Sequence, residues 1–182
     1  MNAYTDLVDD WPFWYGERPL LGFLTAGIWA AGGVCIEEFQ TDKKPDRAES
    51  PKESYLGRGD LYFHVGKAKG NIEFKMHNLG ISRSRDFTKF LMRKWKASEV
   101  DAAKGRQRGI PSFAGMFLRP YVGTRREVGG YQENLKTLIE TAWSTLKPDA
   151  LAWWCPVARV IEGEPDTKDW VVGAILIVKG LR

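Results

Sequence analysis

Cysteine and histidine are scarce, with two of each among 182 residues. Cys35 and Cys155 lie in apolar surroundings, and neither has a cysteine or histidine at metal-finger spacing. That excludes a zinc finger and a disulfide framework, and it reads as two reduced thiols in a cytoplasmic protein. His64 and His77 have no third ligand at a metal-binding spacing. There is no Gly-rich Walker loop and no serine nucleophile elbow, which argues against ATP hydrolysis and serine hydrolase chemistry. Internal repeats and low-complexity tracts are missing as well. The one long uncharged run, residues 20–36, is short of the roughly 20 residues that a membrane helix needs. It contains Gly22, Gly27, Gly32 and Gly33, and the segment before it is acidic where a signal peptide would be positive. It reads as a buried core helix, and the chain as a soluble protein with no membrane partner.

What is present is an ordinary globular composition, 43% hydrophobic and 27% charged. At this length the expectation is a single domain over residues 1–182, with enough apolar surface for one core. The net charge of +4 and a pI near 9.0 permit a nucleic-acid partner. The charge is uneven: Asp6, Asp9, Asp10 and Glu17 open the chain, and the stretch from Arg83 to Arg126 is strongly basic.

The pattern predicts an aromatic N-terminal arm over 1–16, then a helix entered through Pro19 and running to about Gln40. Residues 41–59 are polar, hold Pro45 and Pro51, and read as a loop. Residues 61–65, the turn 66–70 and the alternating run 71–76 form a β-hairpin. Ile72, Phe74 and Met76 take one face of its second strand, and Glu73 and Lys75 the other. Ser84 or Asp86 opens a helix to about Lys104, with Phe87, Leu91 and Trp95 at helical spacing. A strand over 112–122 follows, then a helix over 131–146 ended by Pro148. Residues 151–161 and 170–178 read as two closing strands around the polar turn 162–169. The fold class expected is an α/β sandwich on a mixed sheet flanked by helices, in the order α-β-β-α-β-α-β-β.

The hairpin carries the chemistry. Phosphodiester hydrolysis needs oxygen ligands for a divalent cation, an activated water and a positive group near the phosphate. Asp60 stands at the mouth of the first strand, and Glu73 and Lys75 share one face of the second. Acidic-x-Lys also occurs at Asp42-Lys43-Lys44 and Asp166-Thr167-Lys168, but only Glu73-Phe74-Lys75 lies in an apolar strand with an Asp heading its partner.

Gly59-Asp60 followed by Glu73-Phe74-Lys75 resembles the core motif of the PD-(D/E)XK nuclease superfamily, the restriction-endonuclease-like fold. The resemblance implies that Asp60 and Glu73 bind Mg²⁺, or Mn²⁺ in its place, while Lys75 assists the attacking water. It implies a further acid from the preceding helix, Glu37 or Glu38, with Glu38 favoured. Gly59 stands where the nominal motif has Pro, and the strand usual between the first helix and the Asp strand has only Ser54, Tyr55 and Leu56 to form it. Arg83, Arg85, Lys89 and Arg93 are the candidates for holding phosphates. The implied activity is a Mg-dependent nuclease acting on DNA rather than RNA, with a homodimer as a further expectation from the resemblance. The alternative is an α/β module without chemistry that binds nucleic acid or a protein partner of the immunity or assembly kind.

Overall fold

The computed structural model describes residues 16–45, 55–81, 86–123, 130–155, 161–162 and 170–181. Helix α1 spans Glu17–Ala30, β1 Val34–Lys43, β2 Tyr55–Val65, β3 Ala68–Gly80, α2 Phe87–Lys104, β4 Ser112–Val122 and α3 Tyr131–Leu146. Four shorter strands follow: β5 Ala150–Trp154, β6 Ile161–Glu162, β7 Trp170–Val171 and β8 Ala174–Gly180. The strands form one sheet in the order β1-β2-β3-β4-β7-β6, with β8 beside β4 and β5 beside β8. β1, β2 and β3 are antiparallel neighbours. Between β3 and β4 the contacts advance together, Gly70 against Phe113 and then Ile72 and Phe74 against Gly115, so that pair runs parallel. A parallel pair needs a crossover, and α2 supplies it. The architecture is a mixed sheet with flanking helices.

The described residues fall into two compact units. One holds residues up to Lys75, Ser98–Gly115 and the last three residues; the other holds Met76–Ala97 and Met116–Lys179. In the first unit α1 buries Leu21, Thr25 and Ile28 at spacings of four and three, and Thr25 donates a hydrogen bond to Glu37 on β1. In the second, α3 buries Tyr131, Leu135, Leu138, Ala142 and Leu146, and Lys147 closes the helix in a left-handed conformation before Pro148; Ile139 and Trp143, which helical spacing would set on the same stripe, are half-buried and 57% exposed respectively.

The helix expected to run to Gln40 ends at Ala30. Gly32 takes a left-handed turn (φ 75°), and Gly33 packs so closely that a Cβ there would lie 2.8 Å from the His64 carbonyl oxygen. The chain then re-enters as β1, which is rich in strand formers at Val34, Cys35 and Ile36. Nor is α1 buried all round, since Trp29 is 61% exposed. The polar loop read over 41–59 is shorter: β1 extends to Lys43 and β2 begins at Tyr55, while residues 46–54 lie outside the described residues. The strand that precedes the Asp60 strand is therefore β1, and Tyr55 and Leu56 belong to the Asp60 strand itself. The aromatic arm over 1–15 and the turn 163–169 also lie outside the described residues. The hairpin turn is two residues, Gly66-Lys67, with Gly66 left-handed (φ 59°) as a tight hairpin favours. The closing strands are broken into pieces, and β5 leaves Ala152 and Trp153 exposed rather than covered.

A local break in β1 and β2 positions the site. The β1–β2 register keeps step from Val34↔His64 to Lys43↔Tyr55, but Glu38 and Asp60 do not pair. Glu38 has φ 47°, an uncommon conformation for a residue with a side chain. In a regular strand Ile36 and Phe39 would point to opposite faces. Instead Phe39 lies over Gly59 and meets the ring of Tyr62, the partner of Ile36, edge-on at 6.2 Å. The left-handed Glu38 thus resets the alternation, and Thr41 and Lys43 come to the face that carries Glu73.

A Cβ on Gly59 would sit 2.4 Å from the Phe39 ring. Gly59→Ala is therefore expected to destabilise the protein by about 1–3 kcal/mol, the usual cost of overpacking. Urea unfolding of the two proteins checks this, and an unchanged midpoint would rule out the close packing.

Candidate functional site

β3 places Asn71, Glu73 and Lys75 on one face, and α2 lies along that face. The helix approaches closely because its inward positions near the C-terminus are small: Ser98 and Ala102 are fully buried, and Gly105 follows them. A Cβ on Gly105 would lie 3.2 Å from Glu73 Oε1. Glu73 is consequently buried, although the alternating pattern alone would put it toward solvent.

The charged groups pair off. Lys43 Nζ, from the end of β1, donates to Glu73 Oε2 at 2.9 Å. Lys75 Nζ meets Asp101 Oδ2 on α2 at 2.5 Å, and Lys104 Nζ donates to the other oxygen of Asp101 at 3.0 Å. The β2–β3 pairing ends at Leu61↔Ile72, so the strands part at the next step. There the Phe74 N–H donates to Asp60 Oδ2 at 2.7 Å, so the carboxylate takes the place of a backbone acceptor. Three carboxylates (Asp60, Glu73, Asp101) are thus set among three ammoniums (Lys43, Lys75, Lys104), all in the first unit.

Burial is the largest influence on Glu73 and raises its pKa to about 7. The hydrogen bond from Lys43 opposes the rise, and the charge of Asp60 adds to it. Burial disfavours the Lys75 ammonium, but the hydrogen bond and charge of Asp101, with smaller contributions from Asp60 and Glu17, hold its pKa above the ordinary value. Asp101 is the counterpart: burial would raise it, yet Lys75 and Lys104 together hold it below the usual carboxylate range.

The structure brings Asp60, Glu73 and Lys75 to one place on adjacent strands. It does not bring Glu38 there as a helix acid. Glu37 and Glu38 lie on β1, and Glu38 is held between Arg18 (2.6 Å) and Arg58 (3.1 Å). The helix that was expected to carry them stops at Ala30. Arg83 and Arg85 lie outside the described residues. Lys89 and Arg93 are exposed on α2, where the Lys89 N–H donates to the capping carboxylate of Asp86.

A hard divalent cation needs several oxygen ligands that converge with room for the ion. Here Asp60 and Glu73 each have an oxygen engaged by a protein donor, and Glu38 has both. Among the described residues no group of three or more His, Cys, Asp or Glu side chains is placed to hold a metal ion.

Sequence reading gave no place at the site to Lys43, Asp101 and Gly105, and took Lys104 only as one of a run of cations. Lys43 belongs to the acidic-x-Lys triplet set aside as loop, and Asp101 and Lys104 show the three-residue spacing of a helical ion pair. The run of small residues Ser98, Ala102 and Gly105 was the available signal that α2 closes onto a strand. Comparison with protein-family models, with curated proteins and with solved structures finds no match to this chain. Among the described residues no helix is long and apolar enough to cross a membrane.

Glu73 has its folded pKa raised, so the folded protein holds the extra proton between about pH 4.5 and 7. The stability that this proton contributes is fully present below about 4.5 and is lost as pH rises through 7. Unfolding free energy is expected to fall between pH 5 and 8 by something on the order of 3 kcal/mol, and Glu73→Gln should remove that slope. Urea titrations across this range test it, and equal slopes in the two proteins would rule it out.

The two ion pairs also differ in burial, with side-chain exposures of 15% and 9% for Lys43 and Glu73 against 42% and 28% for Lys75 and Asp101. At pH 8 Lys43→Ala should cost about 3 kcal/mol because it strands a buried carboxylate, and Lys75→Ala about 1 or less. Equal losses by the same measurement would contradict the assignment.

Proposed function

We propose that this chain is a non-catalytic α/β module that binds nucleic acid. The observation that carries the reading is the pairing of every group the nuclease resemblance nominates on the hairpin: Glu73 with Lys43, Lys75 with Asp101, and Asp60 with the Phe74 N–H. Groups committed to one another in this way hold β1, the hairpin and α2 together. Activating a water would require Lys75 to leave Asp101. The basic balance of the chain, +4 with a pI near 9.0, supports a polyanionic partner.

The order of elements favours a second reading. A helix, three antiparallel strands, a crossover helix and a parallel strand put Asp60 and the Glu73-x-Lys75 triplet on adjacent strands, as the PD-(D/E)XK resemblance implies. On this reading the chain is a metal-dependent nuclease, with Mg²⁺ as the ion.

One experiment separates the two. Labelled DNA and RNA, single- and double-stranded, are incubated with the protein in Mg²⁺, Mn²⁺ or EDTA, and both retention and cleavage are scored. The expected result is salt-sensitive binding without cutting in any metal condition. Metal-dependent cutting that disappears in Asp60→Ala and Lys75→Ala would replace the binding reading with the nuclease reading.

A further inference from the structure

Arg83, Arg85, Lys89 and Arg93 are the foremost sequence candidates for holding phosphates, but Arg106 and Arg108, in the same basic stretch, have the stronger claim once the hairpin tip is set beside them. Two segments of the first unit, 64–72 and 102–115, contain no aspartate or glutamate. The first carries Lys67 and Lys69 at the tip of the β2–β3 hairpin. The second carries Arg106 and Arg108 in the connection from α2 to β4. All four side chains are exposed, and among the described residues none makes an ion pair. They differ in this from Lys43, Lys75 and Lys104, whose charges are already met by carboxylates.

The two segments are fixed to each other. The Asn71 N–H donates to the Pro111 carbonyl at 2.9 Å, and the rings of Phe63 and Phe113 meet at 5.6 Å. Gly70 permits the approach, because a Cβ there would lie 2.5 Å from the Phe113 ring and 2.7 Å from the Pro111 oxygen. The connection is tied down at its other end by the Lys44 N–H, which donates to the Lys104 carbonyl at 3.0 Å, and by Gln107, which donates to Thr41 Oγ1. The arginines are therefore presented from a braced loop.

We propose that Lys67, Lys69, Arg106 and Arg108 form the surface that takes the phosphate backbone of a nucleic acid; this rests on the nucleic-acid reading above and locates it. Four exposed cations with no ion pair among the described residues, on two acid-free segments, suit a repeating anion. A lipid surface would call for apolar side chains to insert beside the charges. Among the described residues the large exposed apolar ones are Trp29, Val34, Ile36, Tyr55, Leu56, Met92, Val100, Trp143 and Trp153, and none belongs to either segment.

The test measures fluorescence anisotropy of labelled single-stranded and duplex oligonucleotides over a salt series. The proteins compared are wild type, Lys67→Glu/Lys69→Glu, Arg106→Glu/Arg108→Glu and Lys89→Ala/Arg93→Ala. Each charge-reversed pair is expected to weaken binding by about tenfold or more and to lower the salt slope by roughly one for every phosphate no longer neutralised. The Lys89/Arg93 pair should bind as wild type does. If wild type binds and both reversed pairs bind equally well, this surface is wrong while the nucleic-acid reading stands. If wild type binds no oligonucleotide, or binds only phosphatidylserine vesicles, the nucleic-acid reading itself fails and the surface with it.

Discussion

The bond between Lys43 and Glu73 is the constraint around which the first unit is built. A carboxylate beneath a helix loses most of its hydration, and without a close cation the site would be too costly to keep. Lys43 reaches Glu73 only because β1 changes its facing at Glu38. α2 closes over the pair only because it ends in small residues, finishing at Gly105 against Glu73 itself. Asp60 completes the arrangement by accepting a backbone N–H where the two strands part. Each of these local irregularities makes sense once Glu73 is fixed as the buried carboxyl group.

An interior of this kind sets partners as much as it sets stability. Buried ion pairs are often no more stabilising than apolar packing of the same volume, but removing one member is expensive. The pair Lys43–Glu73 ties β1 to the hairpin, and Lys75 ties the hairpin to α2 through Asp101, which Lys104 also holds. The connection that follows α2 inherits that rigidity and carries Arg106 and Arg108 to the surface. Charge held inside thus bears on where charge is displayed outside.

Much of the fold was legible in the sequence. The hairpin, α2, β4 and α3 follow from alternation, from helical spacing, and from the stops at Asp86 and Pro148. The first helix was misjudged because residues 20–36 are apolar throughout, and periodicity does not divide such a run into helix and strand. The division is made by Gly32 and Gly33, whose turn depends on contact with His64 and Val65 far along the chain. The same error moved Glu37 and Glu38 from a strand to a helix. At the site, the grouping of Asp60, Glu73 and Lys75 was legible from strand geometry. Their partners were not, because Lys43 and Asp101 arrive from elements 30 and 26 positions away, and long-range pairing leaves no local pattern.

The left-handed Glu38 has a bearing on how the sheet ends. Among the described residues β1 has a neighbour on one side only, and a bare margin of that kind invites another chain to add to it. A residue bent out of the extended conformation near the middle of that margin interrupts the straight row of peptide groups that an added strand would need. The charges of Arg18 and Arg58 gathered on Glu38 crowd the same spot. The distortion that turns Lys43 toward Glu73 therefore also guards the molecule against end-to-end growth, and relaxing it would expose a longer, flatter margin prone to self-association.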